Sequence, residues 1–279
     1  MLEQTFCHIP GIGAKTEQEL WAAGLCNWRD VPGHGGLPAR KAAALQEHSR
    51  ESCERLAAGD VRYFAERLPA NQHWRLFPHF RRRIAYLDIE TTGLNAPYDH
   101  ITTIALYDGT AIHHYVHGDN LDAFARDIHA YDLLVTFNGK GFDIPFIVSS
   151  FGMPLPTPHI DLRYVFASLG YRGGLKQVER DLGLTRGELA EVDGFFAVIL
   201  WNDYRRKGNR AALDTLLAYN ILDAVNLESL MVRAYNLKLA QTPFTEALRL
   251  PLPTTPANPF TADMATVRRL KGEYYGGWG

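Results

Sequence analysis

The chain is 279 residues long and 46% hydrophobic, enough to bury a substantial core as one large domain, or as one domain with a smaller attachment. Its 29 Lys and Arg against 31 Asp and Glu exclude a strongly basic protein that coats nucleic acid, but not a local basic groove. The three cysteines, Cys7, Cys26 and Cys53, form no C-x-x-C pair, which argues for a reducing compartment and against a disulfide framework or a zinc site.

No basic segment followed by an apolar run opens the chain, and the longest apolar run, Phe195 to Trp201, is far short of the ~20 residues of a membrane helix. The expectation is a soluble, cytoplasmic protein with no membrane association. Residues 1–75 read as a helical N-terminal region. There "LPARKAAALQEHSRESCERLAAG" (37–59) is rich in Ala, Leu, Glu and Arg, with Gly59 placed as a stop. Residues 80–240 alternate strand and helix patterns. "RIAYLDIE", "ITTIALYDG", "AIHHYVHG" and "LLVTFN" read as strands; "LDAFARDIHA", "PFIVSSFG", "GLKQVERDLG" and the long run 210–240 read as helices. From 241 to 279 the chain carries Pro243, Pro251, Pro253, Pro256 and Pro259 and ends in "YYGGWG", the composition of an extended tail. The order of elements is that of an α/β fold with helices on the faces of a mixed sheet.

The acids narrow that choice. Asp88 and Glu90 stand at i and i+2 of a strand, so both side chains leave one face. Unpaired buried carboxylates are costly, and two together are worse unless a cation lies between them. Asp143 follows the Gly-rich turn of "LLVTFNGKGFDIPFI" and opens a helical pattern; a plain N-cap is its simplest reading. Tyr219 and Asp223 are at i and i+4 of the long helix, hence neighbours on one face. Four carboxylates suit a hard cation, and two Mg²⁺ or Mn²⁺ ions ~4 Å apart can hold the attacking and leaving oxygens of a phosphodiester displacement. Tyrosine is a weak base, with a reference pKa of ~10, so Tyr219 is expected to orient the attacking water.

These pieces resemble the DEDD (DnaQ-like) superfamily of 3′–5′ exonucleases. "DIETTGL", "NGKGFD" and the Y-x₃-D of "YNILD" stand for its three motifs in family order. Tyr219 in place of histidine marks the tyrosine-type branch. The wording of "LDIETTGL", "FNGKGFDIPF", "GGLKQVERDLGL" and "YNILDAVNLESL" is similar to bacterial ribonuclease H-like proteins of the YprB type. The resemblance implies a five-stranded ribonuclease H-like sheet over 80–240 and 3′–5′ hydrolysis of single-stranded DNA or RNA ends by two metal ions. Asp88 would bridge both ions, Glu90 and Asp223 would complete one site, and Asp143 would serve the other. Thr92, Leu94, Asn138 and Phe142 match positions that hold the terminal nucleotides; stacking of a base on an aromatic ring contributes ~1–3 kcal/mol. A non-catalytic nucleic-acid-binding module and a ribonuclease H-like endonuclease are the competing readings. Asp161 reads as a helix cap.

"HIPGIGAKTEQELWAAG" (8–24) resembles half of a helix-hairpin-helix, in which backbone N–H groups and a helix start face a phosphate, with Lys15 adding a charge and Thr16 a cap. The other reading is a tight turn whose glycines provide backbone freedom. "RRR" (81–83) and "YRRKGNR" (204–210) are candidate phosphate contacts, although charge runs are usually solvated faces.

Overall fold

Between residues 84 and 161 the chain builds one mixed five-stranded sheet, the α/β arrangement expected from the alternating patterns. The structure is a computed structural model that describes residues 1–33, 39–96, 98–155 and 158–275. Leu37 and Pro38 of the first long helical pattern, and the closing GGWG, lie outside the described residues. Strands β1 (Ile84–Thr91), β2 (Ile101–Tyr107), β3 (Ile112–Val116), β4 (Leu133–Thr136) and β5 (His159–Asp161) take the spatial order β3-β2-β1-β4-β5. The first three form an antiparallel meander, and β4 and β5 run parallel to β1. Parallel neighbours need crossovers, and the crossovers put helices on the faces of the sheet.

Among the described residues, four α-helices precede the sheet: α1 (Ala14–Ala22), α2 (Ala39–Ala57), α3 (Val61–Arg67) and α4 (Phe77–Phe80). Within and after it come α5 (Ala123–Asp127), α6 (Asp143–Phe151), α7 (Leu162–Ser168), α8 (Leu175–Asp181), α9 (Gly194–Lys207), α10 (Arg210–Leu239), α11 (Thr245–Leu248) and α12 (Met264–Tyr275). Among the described residues no helix is long and apolar enough to cross a membrane.

β1 alternates as a strand covered on both sides must. Ala85, Leu87 and Ile89 enter a cluster with Phe124, Phe146 and Ile147, while Tyr86 joins the cluster on the opposite face with Ile221, Leu227 and Met231 of α10. α10 is apolar on nearly all sides because it is enclosed, and a helix apolar all round is a buried one. Leu213, Leu216, Leu217, Leu230 and Met231 are each at most 1% exposed, and each such side chain stabilises by ~1.5–3 kcal/mol on leaving water. α9 ends at Gly208, whose φ of 66° lies in the left-handed region that glycine enters without steric cost. That ending lets α10 start two residues later and fold back on α9.

The N-terminal helices share the core of the sheet domain. Trp74 and Phe77 lie 5.7 and 6.3 Å, centroid to centroid, from Tyr235 of α10, and Trp21 meets Phe244 edge-on at 5.2 Å. Inside this region the buried Glu17 carboxylate accepts from Thr5 Oγ1 (2.7 Å), from the backbone N–H of Phe6 (2.6 Å) and of Cys7 (3.1 Å), and from Arg75 (2.8 Å). The GIG turn leads into α1 with Gly13 as N-cap and no side-chain cap, so Thr16 is a helical residue and not the cap. Only a short 3-10 turn, Leu2–Gln4, precedes it.

The C-terminal stretch departs from a simple extended tail. Residues 249–263 carry no helix or strand, but 264–275 form α12, whose Val267 and Leu270 are buried against Phe196, Leu200 and Leu213. The extended part is tied along α10. Asn236 both receives from Leu250 N–H (3.0 Å) and donates to Leu250 O (2.8 Å), Asn258 donates to Ala218 O (2.8 Å), and Asp263 N–H donates to Thr215 Oγ1 (2.9 Å). Proline density signals that a segment lacks regular structure, and it says nothing of whether side chains of a neighbouring helix will hold that segment.

Candidate metal centre

α10 crosses the face of β1 that carries Asp88 and Glu90 and presents Tyr219 and Asp223 to it. One carboxylate oxygen from each of Asp88, Glu90 and Asp223 lies within 4.8 Å of the others. Glu90 and Asp223 are buried and Asp88 half-buried. These acids form the floor of a cleft of about 820 Å³, whose wall also includes Asp143, Tyr219, Asn138 and Phe142.

Asp143 is not the N-cap of its helix. Phe142 holds that place, and Asp143 is the first helical residue, its Oδ1 accepting the Ile89 N–H at 3.3 Å. The loop before it is organised instead by Asp161. That carboxylate caps α7 through Arg163 N–H (3.1 Å) and also receives Asn138 N–H (2.8 Å) and Lys140 N–H (3.0 Å). Asn138 is thereby held at a φ of 67°, a left-handed conformation that Asn tolerates better than most side chains. Its side-chain Oδ1 accepts from Arg163 Nη1 at 2.5 Å. Phe142 packs on Phe146 at 5.0 Å and keeps part of its ring open to the cleft. Thr92 and Leu94 stand apart from the cleft wall. Thr92 Oγ1 donates to Asp99 (3.2 Å) and accepts His100 N–H (3.1 Å), and Leu94 is 87% exposed in the loop between β1 and β2.

The electrostatics follow from burying like charges together. Burial, then Asp223, Asp143 and Glu90, push the Asp88 carboxyl well above the usual range; burial, Asp223 and Asp143 do the same to Glu90. Burial raises Asp143 to about 7 against the hydrogen bond from Ile89, and raises Asp223 to about 6 against the pull of Arg186. Burial and the neighbouring acids raise the Tyr219 phenol, so it keeps its proton at neutral pH. An all-oxygen donor set, desolvated and short of positive charge, fits a hard divalent cation such as Mg²⁺ or Mn²⁺.

Several participants carried no usable signal in the sequence. Asn220, fully buried beside Tyr219, donates to Asp88 Oδ2 at 2.7 Å. Arg186, from the loop after α8, donates through Nη1 to Asp223 Oδ1 at 2.5 Å and through Nε to the buried Glu179. Lys176, on the same helix as Glu179, lies 5.1 Å from the Tyr219 ring centroid and donates to Val192 O. A Lys and a Glu three apart on a short, mostly polar helix look like surface residues, and only the fold shows that they point inward. The basic runs, conversely, are largely engaged within the protein: Arg81 with Glu228, Arg83 with Asp132, Lys207 with Asp203 and Glu273, and Arg210 with Asp214.

A central strand carrying two acids, in a mixed sheet of order 3-2-1-4-5 with a further acid from a long helix across it, defines the class of ribonuclease H-like nuclease folds. The family model of the RNase H superfamily matches residues 85–235, more than half of the chain, and the chain belongs to that superfamily. No curated protein sequence matches it. Among solved structures, the family B DNA polymerase of the hyperthermophilic archaeon Pyrobaculum calidifontis is similar at 15% identity and a TM-score of 0.39; the match covers 56% of this chain and 29% of the polymerase chain. NrnC of Brucella melitensis is similar in its form with bound Mg²⁺ at 17% identity and a TM-score of 0.31, and in its form bound to pGG at 18% and 0.30. Both matches cover 63% of this chain and 93% of NrnC.

Proposed function

We propose that the chain is a metal-dependent 3′–5′ exonuclease of the DEDD type, tyrosine branch and YprB-like, that hydrolyses single-stranded ends of DNA or RNA. The observation that carries this reading is the convergence of Asp88, Glu90 and Asp223 within 4.8 Å at the floor of an open cleft walled by Asp143. In this reading residues 80–240 are the nuclease unit, with the N-terminal helices and the C-terminal stretch as its attachments.

Asp88, Glu90 and Asp223 would hold one divalent ion, and Asp88 with Asp143 a second. When bound, such ions supply Lewis acidity and neutralise charge at the phosphodiester. The chain itself does the positioning. Asn220 fixes the Asp88 carboxylate through Oδ2, and the Ile89 N–H fixes Asp143. Tyr219, kept as a phenol by burial and its acidic neighbours, can hold a water by hydrogen bonding but is no base at neutral pH. Arg163 and Arg172 line the same cleft, where they can meet phosphates of the entering strand. Phe137 and Phe142 offer ring surface for a terminal base.

The test is a panel of 5′-labelled DNA and RNA oligonucleotides with Mg²⁺ or Mn²⁺. A ladder shortened from the 3′ end is expected, and its loss in Asp88→Ala. Absence of metal-dependent product on both nucleic acids would overturn the reading, and cleavage of circular substrates would replace it with an endonuclease.

A further inference from the structure

Asp88, Glu90, Asp143 and Asp223 meet in the cleft, yet among the described residues only Asp223 has a cationic partner at salt-bridge distance. Among the described residues no Lys or Arg lies within salt-bridge distance of Asp88, Glu90 or Asp143, whereas Arg186 Nη1 sits 2.5 Å from Asp223 Oδ1. The pair is almost wholly removed from water, with side-chain exposures of 5% and 8%. Arg186 is itself anchored from behind. Its Nε donates to Glu179, whose side chain is 1% exposed and whose other oxygen accepts from Asn226 Nδ2 at 2.8 Å, three residues beyond Asp223 on α10. Asp223, Arg186, Glu179 and Asn226 thus close a ring between α8 and α10. Arg186 Nη2 is buried with no hydrogen-bond partner. A guanidinium with an unused buried donor, beside acids that among the described residues have no other cation at salt-bridge distance, is placed for charge as much as for hydrogen bonding.

We infer that Arg186 is a resident counterion that competes with a divalent ion for Asp223: it keeps the acid cluster assembled in the metal-free protein and lowers the metal affinity of the site. This rests on the metal-site reading above. A charge fixed against one ligand repels the incoming ion and commits one of the two Asp223 oxygens. Glu179 attenuates that repulsion, since it draws part of the guanidinium's charge away from the cleft. The two residues therefore act on metal binding with opposite signs.

That opposition is what the experiment reads. Mn²⁺ binding is measured by calorimetry on the full chain, with Asp88→Ala as control and circular dichroism to verify folding. Arg186→Met, which keeps the aliphatic bulk, is expected to bind Mn²⁺ ~10-fold or more tightly; Glu179→Gln, nearly isosteric, is expected to bind it several-fold, about 3–10-fold, more weakly. Arg186→Lys, which keeps the charge, is expected to stay near the parent. A positioning role for Arg186 would weaken binding in Arg186→Met, and that result, or no change, overturns the inference alone. Should Arg186→Met fail to fold, Arg186→Gln, which also removes the charge, decides: tighter binding supports the counterion, and weaker or equal binding overturns it. No Mn²⁺ binding by the parent, or binding that survives Asp88→Ala, overturns the metal-site reading and this inference with it.

Discussion

Asp143→Asn is expected to make the metal-free protein more stable near pH 8 while leaving it unchanged near pH 4. Asp143 is raised by burial to about 7 in the folded chain, from an ordinary value of 3.8. A carboxyl with a raised folded pKa contributes stability that is fully present below its unfolded pKa and lost as pH rises through the folded one. The window is therefore pH 4 to 7. About three units at 1.36 kcal/mol each give an upper limit of ~4 kcal/mol. Since the same field acts on Asp88, Glu90 and Asp223, a gain of about 2–4 kcal/mol is expected, or ~5–10 °C in Tm. Asparagine keeps the carbonyl oxygen that accepts the Ile89 N–H, so the substitution removes charge and little else. The assay is thermal and urea unfolding of both proteins with a chelator across pH 4–8.5. Adding Mn²⁺ should narrow or invert the order, because the parent gains more from the ion. A variant no more stable than the parent at pH 8, or an offset equal at both ends of the pH range, would refute the account of a strained acid cluster.

Tyr219→Phe removes a single hydroxyl from the cleft. It is expected to lower turnover on a labelled oligonucleotide ~10²-fold while leaving the Mn²⁺-induced rise in Tm intact, and unchanged turnover would take Tyr219 out of the chemistry. Glu17→Ala should cost about 3–5 kcal/mol in urea unfolding, because Arg75 becomes a buried unpaired charge and the N–H groups of Phe6 and Cys7 lose their acceptor. A loss below ~1 kcal/mol would mean that water or another acceptor replaces that carboxylate.

The parts of this fold written in local periodicity were readable. Asp88 and Glu90 share a face because strand side chains alternate, and Tyr219 and Asp223 share one because they lie four apart on a helix. Both relations hold whatever surrounds them. β5 was not readable in this way: three residues, His159–Asp161, are too few to show a period, and their place beside β4 comes from a parallel crossover. Asp143 read naturally as a cap, since a Gly-rich turn and a helix start are its usual surroundings. The hydrogen bonds that hold that turn come instead from Asp161, eighteen positions later. Asn220 and Arg186 were invisible for the same reason. Each gains its meaning from a partner more than thirty residues away, and no local pattern encodes such a distance. The Arg and Lys runs mark the converse limit, because charge in sequence does not reveal whether an acid on another element already faces it.

Pro251, Pro253 and Pro256 sit in a stretch whose two ends are fastened separately, Leu250 to Asn236 and Asn258 to Ala218 of the same helix. Cutting the backbone between those anchorages and removing everything beyond them are thus different injuries. A nicked molecule would still have its final helix clamped in place by Val267 and Leu270. A shortened one would bare the flank of the rod that carries Asp223. Intact anchorage, more than an intact chain, is what keeps the helix bearing Asp223 covered on this side.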